Sequence, residues 1–402
     1  MDLSVAQQTL VYGFVIAVML GATVNKTNFC TMGAVSDWVN IGDTGRLKAW
    51  VLAMVTALIG VTAMELMEVL SLDVSRPPYR TIDFAWPRYI LGGLMFGVGM
   101  TLASGCGNKT LVRIGAGNIK SVVVLLIAGI FAYLMTKTDF YGVVFHSWMS
   151  PMSIDFSLYG LAGQDLGSLA AGIAGSEDVL QFRLYIGALI SIVALIVIFK
   201  ATDLRGSFDN LVGGIVVGLA VLGAWYVTAG PLGLEWQEAV EFMDEVPLGV
   251  GVQSFTFINP MGELLDYGLN AGNHLFLTFG LVSLLGVIVG SFFYALATKS
   301  FRVEWFLNFK DFTVHSVGAA LMGVGGVLAM GCTIGQGVTG VSTLALGSFV
   351  SMLSIILGCA MTMKIQFYKM VYGEEATFFK ALVAGLVDLK LLPTSLRKLD
   401  VI

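Results

Sequence analysis

The sequence predicts an all-α polytopic membrane protein with about nine transmembrane helices, short re-entrant helices and an inverted structural repeat. Three observations carry that expectation. Of 402 residues, 56% are hydrophobic and only 12% are charged, about half the charged share of a soluble domain, so water could not wet such a surface all round. Apolar runs of about 20 residues, the length needed to cross a bilayer, recur along the whole chain. Tyr89–Cys106 also lies over His315–Cys332 at a shift of 226 residues, with eight identities in 18 positions. Mean hydropathy is +0.85. The balance of 22 basic and 27 acidic residues leaves no basic stripe for nucleic acid.

Taken in chain order, runs without Asp, Glu, Lys or Arg lie at roughly 9–25, 49–64, 89–108, 121–136, 184–199, 210–232 and 273–298. No basic segment with a cleavage site precedes the first run, which therefore reads as a retained span. The stretch Phe312–Met363 lacks all four charged types over 52 residues. It has room for two spans joined by a turn that holds Cys332.

Loop charge sets the direction, because short cytoplasmic loops collect Lys and Arg. Segments 138–182 and 231–272 carry acidic residues and no Lys or Arg, so both are expected outside. Lys200, Arg205, Lys299, Arg302, Lys310 and the tail from Lys364 to Lys398 are expected inside. Nine spans then leave the N-terminus outside and the C-terminus inside. Arg76, Arg80 and Arg88 fall on the outer side against this rule, partly offset by Asp73 and Asp83. The expected organisation is a first repeat at 1–137, an external loop at 138–181, and a linking span with a cytoplasmic loop at 182–207. A second repeat occupies 208–402, with an external loop at 231–272 and a cytoplasmic tail.

The matched segments are the third and eighth spans, five apart, so they cross the bilayer in opposite senses. Oppositely directed repeats place a binding site between them. Each ends in Gly-Cys, Gly105-Cys106 and Gly331-Cys332, followed by GNKTLVRIGAGN and TIGQGVTGVST. Glycine permits a helix to end and restart, and irregular backbone at membrane depth survives only inside protein or beside a polar cavity. A restarted helix offers free N–H groups and a positive dipole end to an anion. Asn108, Thr110, Thr333, Gln336 and Thr339 add polar groups without charge. Asn25–Trp38 contains a third such break, with Cys30.

A thiol is a weak, polarizable donor, better matched to a sulfur-bearing anion than to an oxyanion. Conduction also requires binding weak enough to release. Cys30, Cys106 and Cys332 are therefore candidate relay groups, whereas Cys359, inside an apolar run, reads as core packing. Lys26 and Lys109 sit in matching Asn-Lys-Thr triplets. They would concentrate anions at the inner mouth, or equally serve as ordinary positive-inside anchors. Candidate path residues are Gly105, Asn108, Lys109, Gly331, Thr333 and Gln336.

GCGNKTLVRIG, GCTIGQGVTGVSTLALGS and NFCTMGA resemble the YeeE/YedE family of bacterial inner-membrane sulfur-compound transporters, whose characterised members take up thiosulfate. The resemblance implies an hourglass-shaped inverted-repeat bundle in which Cys30, Cys106 and Cys332 relay thiosulfate by S–H···S contacts. It also implies a TusA-like sulfurtransferase partner. No CPxP signature occurs in this chain, so that partner would be separate. No cofactor or metal is implied, since the three histidines are scattered and no CxxC or HExxH occurs. No Walker motif is present, so ATP is not expected to drive transport within this chain. Embedded carboxylates that could relay protons are few, namely Glu65 and Glu68 near the outer end of the second span. A general small-anion channel and a membrane thiol or sulfur-transfer enzyme stay open as alternatives, although an enzyme would want a vicinal cysteine pair.

Overall fold

The structure is a computed structural model that describes residues 4–200, 202–243, 245–397 and 399. Its helices in chain order are α1 (Val5–Thr27), α2 (Thr31–Ile41), α3 (Gly45–Leu66), α4 (Trp86–Leu102) and α5 (Gly107–Gly115). There follow α6 (Ile119–Lys137), α7 (Leu166–Ala174), α8 (Val179–Lys200), α9 (Phe208–Ala229) and α10 (Pro231–Val240). The last five are α11 (Ile258–Leu269), α12 (Phe279–Ala297), α13 (Phe309–Leu328), α14 (Leu346–Tyr372) and α15 (Phe378–Asp388). Among the described residues nine helices are long and apolar enough to cross a membrane: α1, α3, α4, α6, α8, α9, α12, α13 and α14. The protein is an all-α multi-pass membrane protein. Among the described residues, strand is confined to a two-residue antiparallel pairing of Asp83–Phe84 with Ile154–Asp155.

Polar caps set several boundaries. Ser4 and Gln7 close a reciprocal capping box at the start of α1. Asn118, Ser207, Thr278 and Asn308 each accept an N–H from the first turn of α6, α9, α12 and α13. Without them those N–H groups would go unpaired at a helix start.

Four spans precede α8 and four follow it. α1 packs on α12 and α9 on α3, while α4 packs on α14 and α6 on α13. Each group of four therefore trades partners with the other, and α8 stands at the side against α3. At the centre α4 and α13 cross backbone to backbone. Gly92 faces Gly325 and Ala329, and Gly99 faces Gly318 and Met322. A Cβ on Gly99 would stand 2.6 Å from the Gly318 carbonyl oxygen, too close for any side chain, and small residues are what allow such an approach. Gly99→Val is expected to cost about 1–3 kcal/mol, read as a lower unfolding temperature in detergent. Gly142→Ala, with no atom within 4 Å of its added Cβ, is expected to change nothing measurable.

Both crossing helices end alike. Ser104 and Met330 take left-handed backbone (φ 60° and 58°). The N–H of Gly105 then donates to Met100 and that of Gly331 to Gly326, each at 2.8 Å, the geometry of a Schellman end. The sequence places the bend on the glycines, yet the residue before each one makes it. Gly105 and Gly331 are instead pressed on the next helix, where added Cβ atoms would lie 3.3 Å from Lys109 Cβ and 3.2 Å from the Gly335 carbonyl carbon.

Contacts between loops define two ends of the bundle. At the acidic end, Arg183 bridges Asp73 and Asp165, each at 2.9 Å, and the Arg76 N–H donates to the Val252 carbonyl. At the basic end, Lys48 meets Asp203 and Lys120 meets Asp311. The arginines expected on the outer side against the charge rule are mostly absorbed by structure. Arg80 forks onto Glu65 at 2.6 and 2.9 Å, reaches Asp73 at 3.2 Å and donates to the Thr343 carbonyl. Arg88 lies over the Tyr141 ring at 4.9 Å. Burial pushes the Asp165 carboxyl up, but Arg183, Arg80 and Ser168 outweigh it and hold the group below the usual carboxylate range.

The segment 231–272, expected as an external loop, is only partly so. It carries α10 and α11, and Phe255, Phe257 and Ile258 are fully buried in the core. α11 has 12 residues, below the length a search for spans detects.

Candidate functional site

The three candidate cysteines are built the same way. Cys30, Cys106 and Cys332 each stand, with extended backbone at Cys30 and Cys106, immediately before a short helix: α2, α5 and the helical segment 333–343. The carbonyl of each accepts the first helical hydrogen bond, from Ala34, Thr110 and Gln336 respectively. The backbone N–H three residues on, at Gly33, Lys109 and Gly335, faces the sulfur, at 3.5 Å in the case of Cys332. Sulfur therefore occupies the position where a cap oxygen normally sits, and the first-turn N–H groups keep their positive dipole end.

The breaks converge. The Cys30 and Cys106 thiols lie against each other, and Thr333, the neighbour of Cys332, borders Cys106. Exposures of 4%, 1% and 0% place all three cysteines inside the protein rather than against lipid. Cys359 lies within α14, where the Thr101 hydroxyl donates to its sulfur at 3.2 Å, a packed setting unlike the other three.

Around the thiols the buried Thr31 hydroxyl and the Asn108 and Gln336 side-chain oxygens have no hydrogen-bond partner among the described residues, and the Thr333 hydroxyl has none but the neighbouring Cys106 thiol. A buried polar group left unpaired costs about 1–3 kcal/mol, so such a cluster is suited to a polar ligand. Other groups are committed internally. Thr110 donates to the Cys106 carbonyl, Thr339 to the Phe255 carbonyl and the Gln336 amide to the Ala329 carbonyl. Lys109 reaches Asn28 and stands near both Cys30 and Cys106. Arg113 donates to the Ser104 carbonyl. Lys26 is exposed, 6.0 Å from the Phe208 ring. The positive charge is thus gathered on the Cys30–Cys106 side.

Cys332 has neighbours that no sequence pattern marked. Thr256 lies beside its sulfur, and the Phe257 N–H faces it. The Tyr79 hydroxyl donates to the Gly335 carbonyl at 2.7 Å and pins the segment after Cys332. Burial pushes the Tyr79 phenol well above its usual range, so it stays a donor. Thr31 was legible, since it follows Cys30 as Thr333 follows Cys332. Tyr79 and Thr256 had no such signal.

A family model described as Sulphur transport matches residues 26–361. Two curated proteins are similar over most of the chain. The thiosulfate transporter TsuA of Escherichia coli (strain K12) is 24% identical over 370 residues, 86% of this chain and 91% of its own. The thiosulfate transporter TsuA of Spirochaeta thermophila is 26% identical over 354 residues, 86% of this chain and 96% of its own.

Proposed function

The chain belongs to the Sulphur transport family, and from that premise we propose that it takes up thiosulfate across a bacterial inner membrane, with Cys30, Cys106 and Cys332 as successive relay groups. One observation carries the reading: three buried cysteines each precede a short helix, the Cys30 and Cys106 thiols lie against each other, and Thr333, next to Cys332, borders Cys106. Thiosulfate has a soft terminal sulfur and hard sulfonate oxygens. The thiols suit the first through weak S–H contacts. Unpaired hydroxyls and first-turn N–H groups suit the second. Positive-inside charge orients the acidic end outward, so the ion passes Cys332 first and then the Cys106–Cys30 pair. Gly105 and Gly331 hold the breaks closed on the next helix, and Asn108, Thr333, Gln336 and Lys109 line the route.

The exchange of helix partners across α8, and the matching helix ends at Ser104 and Met330, support an inverted repeat of 1–137 against 208–402. A small separate TusA-like sulfurtransferase would receive the ion at the basic end. The protein works as a transporter and not as an enzyme, and no cofactor is needed. In a host lacking other importers and given thiosulfate as sole sulfur source, the chain is expected to restore growth and uptake of labelled thiosulfate. Absence of both would overturn the reading.

A further inference from the structure

At the acidic end a cavity of about 220 Å³ opens between α6, α11, the segment around Arg76 and the segment 248–256. Thr256 is in its wall and also lies beside Cys332, so the cavity is one residue from the first thiol. Gln253 and Asn259 line it too, and the Asn259 side-chain oxygen has no hydrogen-bond partner among the described residues.

Four charged groups line this cavity, and they come from three elements. Arg76 stands in the segment before α4, Lys137 at the end of α6, and Glu263 and Asp266 on α11. Segment 248–256 contributes no charge, and neither does the start of α12, where Thr278 and Gly280 line the wall. Lys137 pairs with Asp266 at 2.9 Å. Arg76 is exposed and pairs with no carboxylate among the described residues. The Glu263 carboxylate has no cationic partner in direct contact and is held by the Thr278 hydroxyl, which donates to it. Two positive and two negative groups sum to zero while Glu263 is ionised, and to +1 once it is protonated. A dianion would meet no net attraction in the first state, and a carboxylate facing its path besides.

We propose that this cavity is a joint receiving site for the sulfur oxyanion and one proton, the proton residing on Glu263. This deepens the thiosulfate reading above and rests on it. A proton from the outer solution adds to a Glu263 carboxylate oxygen as the anion settles beside Arg76. The carboxyl group then presents an O–H donor to an anion oxygen in place of a negative charge. The proton leaves the carboxyl when the anion moves on past Thr256. Burial already pushes the Glu263 carboxyl above its usual range, against the Thr278 hydroxyl and Lys137, and Asp266 adds to the rise. Thiosulfate is the anion of a strong acid, so its own charge stays constant where a carboxyl of this kind titrates.

The test is calorimetric titration of the purified full chain with thiosulfate, repeated across pH and in buffers of different ionisation heat. Affinity is expected to rise as pH falls, by up to about tenfold per pH unit, with close to one proton taken up per anion. E263Q is expected to bind at every pH as the wild type does at the acid end, with no proton uptake. Wild-type binding that ignores pH, or a slope that survives in E263Q, overturns the proposal. If E263Q does not fold, the wild-type proton count decides alone. Absence of thiosulfate binding at any pH would instead sink the thiosulfate reading, which separates the two failures.

Discussion

Cys332→Ala is expected to reduce labelled thiosulfate uptake at least about tenfold, and Cys30→Ala and Cys106→Ala to do the same, while Cys359→Ala keeps most of it. One S–H contact is worth only about 0.5–1 kcal/mol, which alone would give two- to fivefold. In the proposed relay the thiols act in series and are buried, so a larger loss is expected. A terminal sulfur that meets a methyl group there has lost the one donor facing it, which adds about 1–3 kcal/mol. The sum exceeds the 1.4 kcal/mol that corresponds to a factor of ten. Serine at each position is expected to fall between, because a hydroxyl donates but prefers oxygen to sulfur. Cys359 provides the contrast, since it has a Thr101 donor of its own and sits in a packed helix. Equal losses at all four positions would mean that the substitutions disturb packing and not a path. Unchanged uptake in Cys332→Ala would exclude a relay through it.

The second large effect is on stability. Arg80→Met is expected to destabilise the protein by about 3–5 kcal/mol, because it strands the Glu65 carboxylate in a buried setting. Arg80 and Glu65 are only 5% and 8% exposed, so solvent can do little to replace the lost partner. Lysine at position 80 is expected to rescue little, since one ammonium cannot fork onto both Glu65 oxygens. The measurement is thermal unfolding in detergent, with Glu65→Gln added to Arg80→Met. The double variant is expected to recover part of the loss, as coupled sites do. An unchanged unfolding temperature in Arg80→Met would show that the pair is solvated after all. Uptake should fall as well, because Arg80 holds the Thr343 carbonyl at the far end of the segment that begins at Cys332.

Hydropathy made the nine spans legible, because a bilayer demands about 20 apolar residues and nothing else in the chain imitates that. Even the charge-free stretch Phe312–Met363 divided where expected, with α13 ending at Leu328 and α14 starting at Leu346. The matched Gly-Cys endings pointed at two of the three cysteines, and Asn25–Trp38 at the third. What stayed hidden was set by tertiary contact. α11 carries Glu263 and Asp266 and is too short to register, so the whole of 231–272, Thr256 with it, reads as an external loop. Tyr79 acts through one long-range hydrogen bond to Gly335, 256 positions away. Arg80 looked like an exception to loop charge until Glu65 and Asp73 were seen beside it. The glycines were read as bends by residue type, whereas Ser104 and Met330 bend the chain because the Schellman hydrogen bonds require it there.

Sulfur is a poor substitute for the oxygen of serine or aspartate at a helix start, and three short helices of this protein accept that weakness in its interior. An aspartate at any of those places would tie down the first-turn amides with its own carboxylate, at the cost of a charge buried in the interior. It would also act as a permanent internal plug, filling with the protein's own charge the place a passing ion must borrow. Substitutions of this kind should therefore silence the molecule and, because they bury a carboxylate without a cation, weaken it as well, so the search for a more robust variant is better directed elsewhere in the bundle.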